Sequence, residues 1–154
     1  MKSSKKIIEF ILTFEGFKAK PYLDIAGIPT IGFGATYYQD GRKVTINDSA
    51  ISLECAHELK AFHIRDTEKS VNKLVTSNIN QNQFDALVSF TYNLGSEALR
   101  TSTLLKKINK NPNDTTIINE FKKWVYIRDP LTKDLIISKG LTRWRAVEAD
   151  IYFS

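Results

Sequence analysis

Cysteine is almost missing from this chain: Cys55 stands alone among 154 residues. A single thiol excludes an intramolecular disulfide and a cysteine-based metal cluster. Cys55 falls in a helical stretch, where a small core residue is the expected role. His57 and His63 lack the i, i+4 spacing of a helical ligand pair, so no metal site is expected. Long apolar runs are missing as well. Lys5-Lys6 precede Ile7-Ile8-Glu9-Phe10-Ile11-Leu12-Thr13-Phe14, which superficially looks like a signal peptide. Glu9 interrupts the run, and no small-residue cleavage site follows. Eight residues cannot span a bilayer, so the expectation is an amphipathic helix without an export signal. Runs of five or six like charges, zinc-finger spacings and Gly-rich phosphate motifs are absent too. Nucleic acid is therefore not an expected partner. No internal repeat or low-complexity segment is present.

What remains is an ordinary globular composition, 42% hydrophobic and 25% charged. The length suits one domain with a sizeable core, divisible into two lobes. Net charge is +5, unevenly placed: 11 basic and 11 acidic residues in 1–99, then 11 basic and 6 acidic in 100–154. The excess sits in the C-terminal third, which can attract polyanions such as anionic lipid or acidic wall polymers.

A first helix is expected from about Ser4 to Glu15, capped by Ser3 or Ser4 and ended by Gly16. Gly, Pro and aromatics then crowd residues 16–45, which read as a small β-rich lobe with strands at Thr30-Ile31 and Lys43-Val44. Thr45-Ile46-Asn47-Asp48 resembles a helix cap. The stretch from 46 to about 74, free of Pro and Gly, reads as a bridging helix. Asn80 with Gln83 offers a second cap, and the run to Leu94 leaves little polar face, as expected of a buried central helix. Further helices fit Thr103–Asn109, Thr115–Val125 and Leu141–Tyr152, within a helical lobe of about 80–154. Asp129–Asp134 reads as a turn and Leu135–Ile137 as a short strand.

Chemistry concentrates in Glu15, Asp24 and Thr30. A carboxyl in the last turn of a helix meets the partial negative charge of that terminus, and Phe14 and Phe17 limit its hydration. Both effects favour the protonated acid. Asp24 sits in a turn, with backbone amides and solvent nearby, which favours the carboxylate. Thr30 adds a hydroxyl able to orient a water. Two carboxyl groups in contrasting environments suit glycoside hydrolysis. Each residue alone also fits plain surface, turn or strand chemistry.

The order of motifs adds to this. Glu15-Gly16, Tyr22, Asp24, Gly27 and Thr30-Ile31-Gly32-Phe33-Gly34 resemble the catalytic region of the phage-type lysozymes, glycoside hydrolase family 24. Gln83 to Gly95 resembles that family's central helix, followed by Ser102-Thr103-Leu104-Leu105. Gly140-Leu141-Thr142-Arg143-Trp144-Arg145-Ala146-Val147-Glu148 resembles its final motif. The resemblance implies a mostly α, two-lobed α+β lysozyme-like fold. It implies an endolysin that hydrolyses the β-1,4 bond between N-acetylmuramic acid and N-acetylglucosamine in peptidoglycan. Glu15 is implied as general acid, with Asp24 and Thr30 positioning the water. Tyr22, Gly34, Asn93 and Arg143 or Arg145 are implied to contact substrate. No cofactor is implied. The setting implied is a monomer made in a host cytoplasm and reaching the wall through a membrane pore. Three departures stand out: Ala35-Thr36 where the family often has His, Trp144 at a site often basic, and a longer, more polar Tyr126–Ser138 stretch, expected to be a tolerated insertion rather than a substrate-contacting loop. The rival readings are a non-catalytic wall- or membrane-binding basic module and a lytic transglycosylase.

Overall fold

A computed structural model describes residues 1–154. Helices alternate with two small antiparallel hairpins, in the order α1 (Lys5–Thr13), β1 (Lys18–Leu23), β2 (Pro29–Gly32), α2 (Leu53–Leu74), α3 (Gln81–Leu94), α4 (Ser96–Thr101), α5 (Thr103–Lys110), α6 (Ile117–Lys122), β3 (Tyr126–Arg128), β4 (Leu135–Ile137) and α7 (Lys139–Tyr152). The fold is α+β and mostly helical. The chain forms two compact units, Lys5–Asp66 and Met1–Ser4 with Thr67–Ser154. No helix is long and apolar enough to cross a membrane.

In the unit Lys5–Asp66, α1 ends earlier than its sequence pattern suggests. The amides of Phe14 and Glu15 reach only three residues back, to Ile11 and Leu12 carbonyls. Thr13 donates its hydroxyl to the Phe10 carbonyl. The last turn tightens and the helix stops at Thr13, leaving Glu15 beyond it. Strand β1, unexpected from sequence, pairs with β2 in the register Tyr22 opposite Thr30 and Leu23 opposite Pro29, with an irregularity between Lys18 and Tyr22. Lys43-Val44 forms no strand; a single bridge joins Tyr37 to Lys43. Ile31, Ala35, Val44 and Leu59 make one core cluster, and Leu12, Phe33 and Ala56 another.

The expected start of the long helix is also wrong. Asp48 does not cap it: its carboxylate accepts from the Thr45 amide and hydroxyl, the Tyr38 hydroxyl and Arg42. These bonds hold Asp48 well below the usual carboxylate range, the Thr45 amide foremost. The residues that follow stay irregular, and α2 starts only where Ser52 Oγ accepts from the Cys55 amide. On α2, Ala56 and Leu59 point inward while Cys55 is exposed, so it is not a core residue.

In the other unit, α3 follows its sequence signals. The Asn80 side chain accepts from the Gln83 amide, the Gln83 side chain accepts from the Asn80 amide, and Gly95 terminates the helix at φ 93°. Every residue from Gln83 to Thr91 is buried. Phe90, Phe121, Trp124 and Tyr152 interlock, with ring centroids 5.5–5.8 Å apart. Helix α6 is shorter than the expected Thr115–Val125. The Tyr126–Ser138 stretch is a hairpin, Tyr126 facing Ile137 and Arg128 facing Leu135. All six of its strand residues are exposed, four of them aliphatic, so it is less polar than its turn suggests. Ser102 caps α5 and Ser138 caps α7 through their hydroxyls.

Candidate functional site

Glu15 lies in the turn between α1 and β1, its side chain 29% exposed. Phe14 and Phe17 are each 39% exposed, so neither seals the carboxyl from water. The helix-terminus argument fails as well, because α1 has already ended. Two other neighbours define the group. Lys60 Nζ stands 3.6 Å from Glu15 Oε1. On the other side is Gly34, at φ +81°, where an added Cβ would lie 3.0 Å from Glu15 Oε2. The left-handed backbone and this close approach together require glycine.

Asp24 and Thr30 flank the turn of the β1–β2 hairpin. Asp24 Oδ1 accepts from the amides of Ala26 and Ile28, at 2.8 and 2.9 Å. This turn chemistry is local and fixes the carboxylate's direction. Thr30 is buried, and its hydroxyl donates to the Ile28 carbonyl at 2.8 Å. With its proton committed, Oγ1 can serve a water only as acceptor. Tyr22, opposite Thr30, carries Lys18 Nζ over its ring at 4.1 Å.

Asn93, Arg143 and Arg145 belong to the other unit. Arg143 is exposed, whereas Arg145 is fully buried. Arg145 Nη1 donates to Asn93 Oδ1 at 2.9 Å, and Nη2 donates to Glu148 Oε1 at 2.9 Å. Its Nε lies 2.7 Å from Glu148 Oε2. Ser89 ties this cluster together: its hydroxyl donates to Glu148 Oε1 at 2.6 Å and accepts from Trp144 Nε1 at 2.9 Å. Burial pushes the Glu148 carboxyl up, against the pull of Arg145 and Ser89, and pulls the Arg145 guanidinium down.

Sequence reasoning missed Lys60, Ser89 and Glu148 as site-forming residues. Lys60 did leave a signal. It sits four residues from Ala56 and from Ile64, both buried, so a lysine occupies the apolar stripe of α2.

A profile of the Phage lysozyme family matches residues 12–148. The chain belongs to the phage lysozyme family. Within that family it is similar to the endolysin of Salmonella phage P22, 40% identical over 95 residues, or 62% of this chain and 64% of the relative. It is also similar to the endolysin of Bacillus phage B103, 38% identical over 129 residues, or 80% of this chain and 46% of the relative. The matched part thus spans about half to two thirds of those two curated relatives. Among solved structures, the endolysin from Escherichia coli O157:H7 phage FAHEc1 superposes with a TM-score of 0.88 at 35% identity, covering 100% of this chain and 94% of that one. The family match and this likeness agree with the fold expected from sequence.

Proposed function

We propose that this protein is an endolysin that hydrolyses the β-1,4 bond between N-acetylmuramic acid and N-acetylglucosamine in bacterial peptidoglycan. The observation that carries the reading is the phage lysozyme family match over residues 12–148, which include Glu15, Asp24 and Thr30. Glu15 is the general acid. It gives its proton to the glycosidic oxygen as the bond from C1 to that oxygen breaks. The attacking water donates one hydrogen to Thr30 Oγ1, which is free to accept, and the other to Asp24. Its lone pair then points at C1, and its proton passes to Asp24 as the new bond forms. Acid, carboxylate and water complete the reaction, so no cofactor is required.

Tyr22 and Gly34 are the proposed substrate contacts beside Glu15, and Asn93, Arg143 and Arg145 those of the other unit. Arg145, fully buried, acts there through Asn93, to which it donates, whereas Arg143 is exposed. In this reading residues 1–154 are one lysozyme-like catalytic domain. The protein acts as a monomer on the wall, reached from the host cytoplasm through a membrane pore. Its basic C-terminal third holds it to anionic wall or membrane polymers.

The test is mass analysis of fragments from purified peptidoglycan, with the parent and Glu15→Gln. The parent releases reducing muramic ends by mass, and proton NMR of the fresh product, taken before mutarotation, reads inverted configuration, because a water-positioning Asp24 implies inversion. Anhydro-muramic ends would assign a transglycosylase instead. Lysis by Glu15→Gln within a factor of about ten of the parent, roughly 1.4 kcal/mol in barrier, would remove Glu15 from the role.

A further inference from the structure

Lysine is among the residues least often buried, and a buried one is normally paired. Lys60 is 2% exposed and lies on the inner face of α2 between Ala56 and Ile64. Its partner is the proposed acid itself. Nζ approaches Glu15 Oε1 at 3.6 Å, while Oε2 abuts the Gly34 backbone. One oxygen therefore faces a fixed cation and the other a glycine surface. Other titratable groups near the pair along α2 include His57, whose ring packs on Phe33 beside Gly34 with centroids 5.1 Å apart, and His63 and Asp66. His63 Nε2 is engaged with the Tyr37 carbonyl at 3.1 Å, and its ring stacks on Tyr37. Burial and Lys60 both pull the His63 imidazole down, so it adds little charge near neutral pH. Lys60 is thus the cation that addresses Glu15 from α2.

We propose that Lys60 is a positioning residue for Glu15, orienting its carboxyl and stabilising the charge that appears there when the proton leaves. The proposal rests on Glu15 being the acid. When the Glu15 O–H bond breaks, its proton goes to the glycosidic oxygen and its electron pair stays on the carboxylate. Lys60 keeps all three protons throughout. A preorganised buried ammonium stabilises that developing charge without solvent reorganisation. Burial pulls the Lys60 ammonium down while Glu15 pushes it back up, so the lysine's charge depends on this partner.

Removing a cation held this close to the acid gives a distinctive signature. In Lys60→Met, which keeps most of the apolar stem, kcat on soluble peptidoglycan fragments should fall about tenfold with KM little changed. The alkaline limb of the pH–rate profile should move up by about one pH unit, at the low end of the shift a nearby opposite charge causes. Lys60→Arg should return the limb toward the parent position. If Lys60→Met does not fold, Lys60→Gln carries the same test. A folded, neutral variant whose alkaline limb stays where the parent's is would overturn the proposal and leave Lys60 as packing. Glu15→Gln measured alongside separates the two ideas: activity there defeats the acid assignment, whereas an unmoved limb with Glu15→Gln inactive defeats only the role of Lys60.

Discussion

Replacing Gly34 by alanine isolates how closely Glu15 must be held. The new Cβ meets two costs. First, φ is +81°, a left-handed conformation that costs a non-glycine residue about 1–2 kcal/mol. Second, the Cβ would sit 3.0 Å from Glu15 Oε2, under ordinary contact distance, so the carboxylate must retreat by a few tenths of an ångström. A misplacement of about 1 Å can cost about 10²-fold in rate. A retreat of a few tenths should therefore cost roughly tenfold, about 1.4 kcal/mol in barrier. Gly41→Ala is the matched control. Its φ is +86°, but an added Cβ there meets nothing within 4 Å. Both variants should lose stability to a similar degree, about 2–8 °C in Tm, given about 2–4 °C per kcal/mol for a chain of this size. Only Gly34→Ala should lose turnover, measured on purified peptidoglycan well below both melting temperatures. Equal turnover in the two variants would refute the claim that the Gly34 surface positions Glu15.

Three further outcomes are expected. Ser89→Ala removes a hydrogen-bond donor from the buried Glu148 carboxyl and an acceptor from the Trp144 indole; at about 1–3 kcal/mol for a buried hydrogen bond lost, urea melts should show a loss of about 1–3 kcal/mol, and a loss below about 0.5 kcal/mol would deny the network its stabilising role. Lysis should weaken with salt as screening shortens to roughly 10 Å at 0.1 M. The structure divides the lysines to be tested: Lys107 and Lys123 clamp the buried Glu120 at 3.1 and 2.9 Å, whereas Lys106 and Lys122 are exposed. Lys106→Gln with Lys122→Gln should flatten the salt profile without lowering Tm, and an unchanged profile would make these lysines merely solubilising. Finally, burial would raise the Glu120 carboxyl, but the two lysines outweigh it and hold it below its ordinary value. A depressed carboxyl contributes stability above its unfolded value, near pH 4.3, that is lost as pH falls through the folded one. Tm should therefore drop on acidification below about pH 4.3, and less steeply in Glu120→Gln; parallel curves would exclude Glu120 as a contributor.

Features whose hydrogen bonds close within a few residues could be read from sequence. The Asn80–Gln83 capping box, the apolar run that follows and the Gly95 stop define α3 by local chemistry. The Asp24 turn is equally local, since the carboxylate binds amides two and four residues ahead. Glu15, Asp24 and Thr30 stood out because their residue types and order match a known chemistry. Features set by distant partners could not be read. Thr45–Asp48 looked like a helix cap, but Tyr38 and Arg42, ten and six residues back, join Thr45 on the Asp48 carboxylate and no helix starts there. Arg143 and Arg145 were indistinguishable until packing buried one and exposed the other. Ser89 meets Trp144 and Glu148 across 55 and 59 residues of chain. Lys60 became a neighbour of Glu15 only when its helix packed with the charge inside. Propensity and turn chemistry act over a few residues and are written in the sequence. Burial, and with it the environment of every buried charge, arises only when distant segments close on one another.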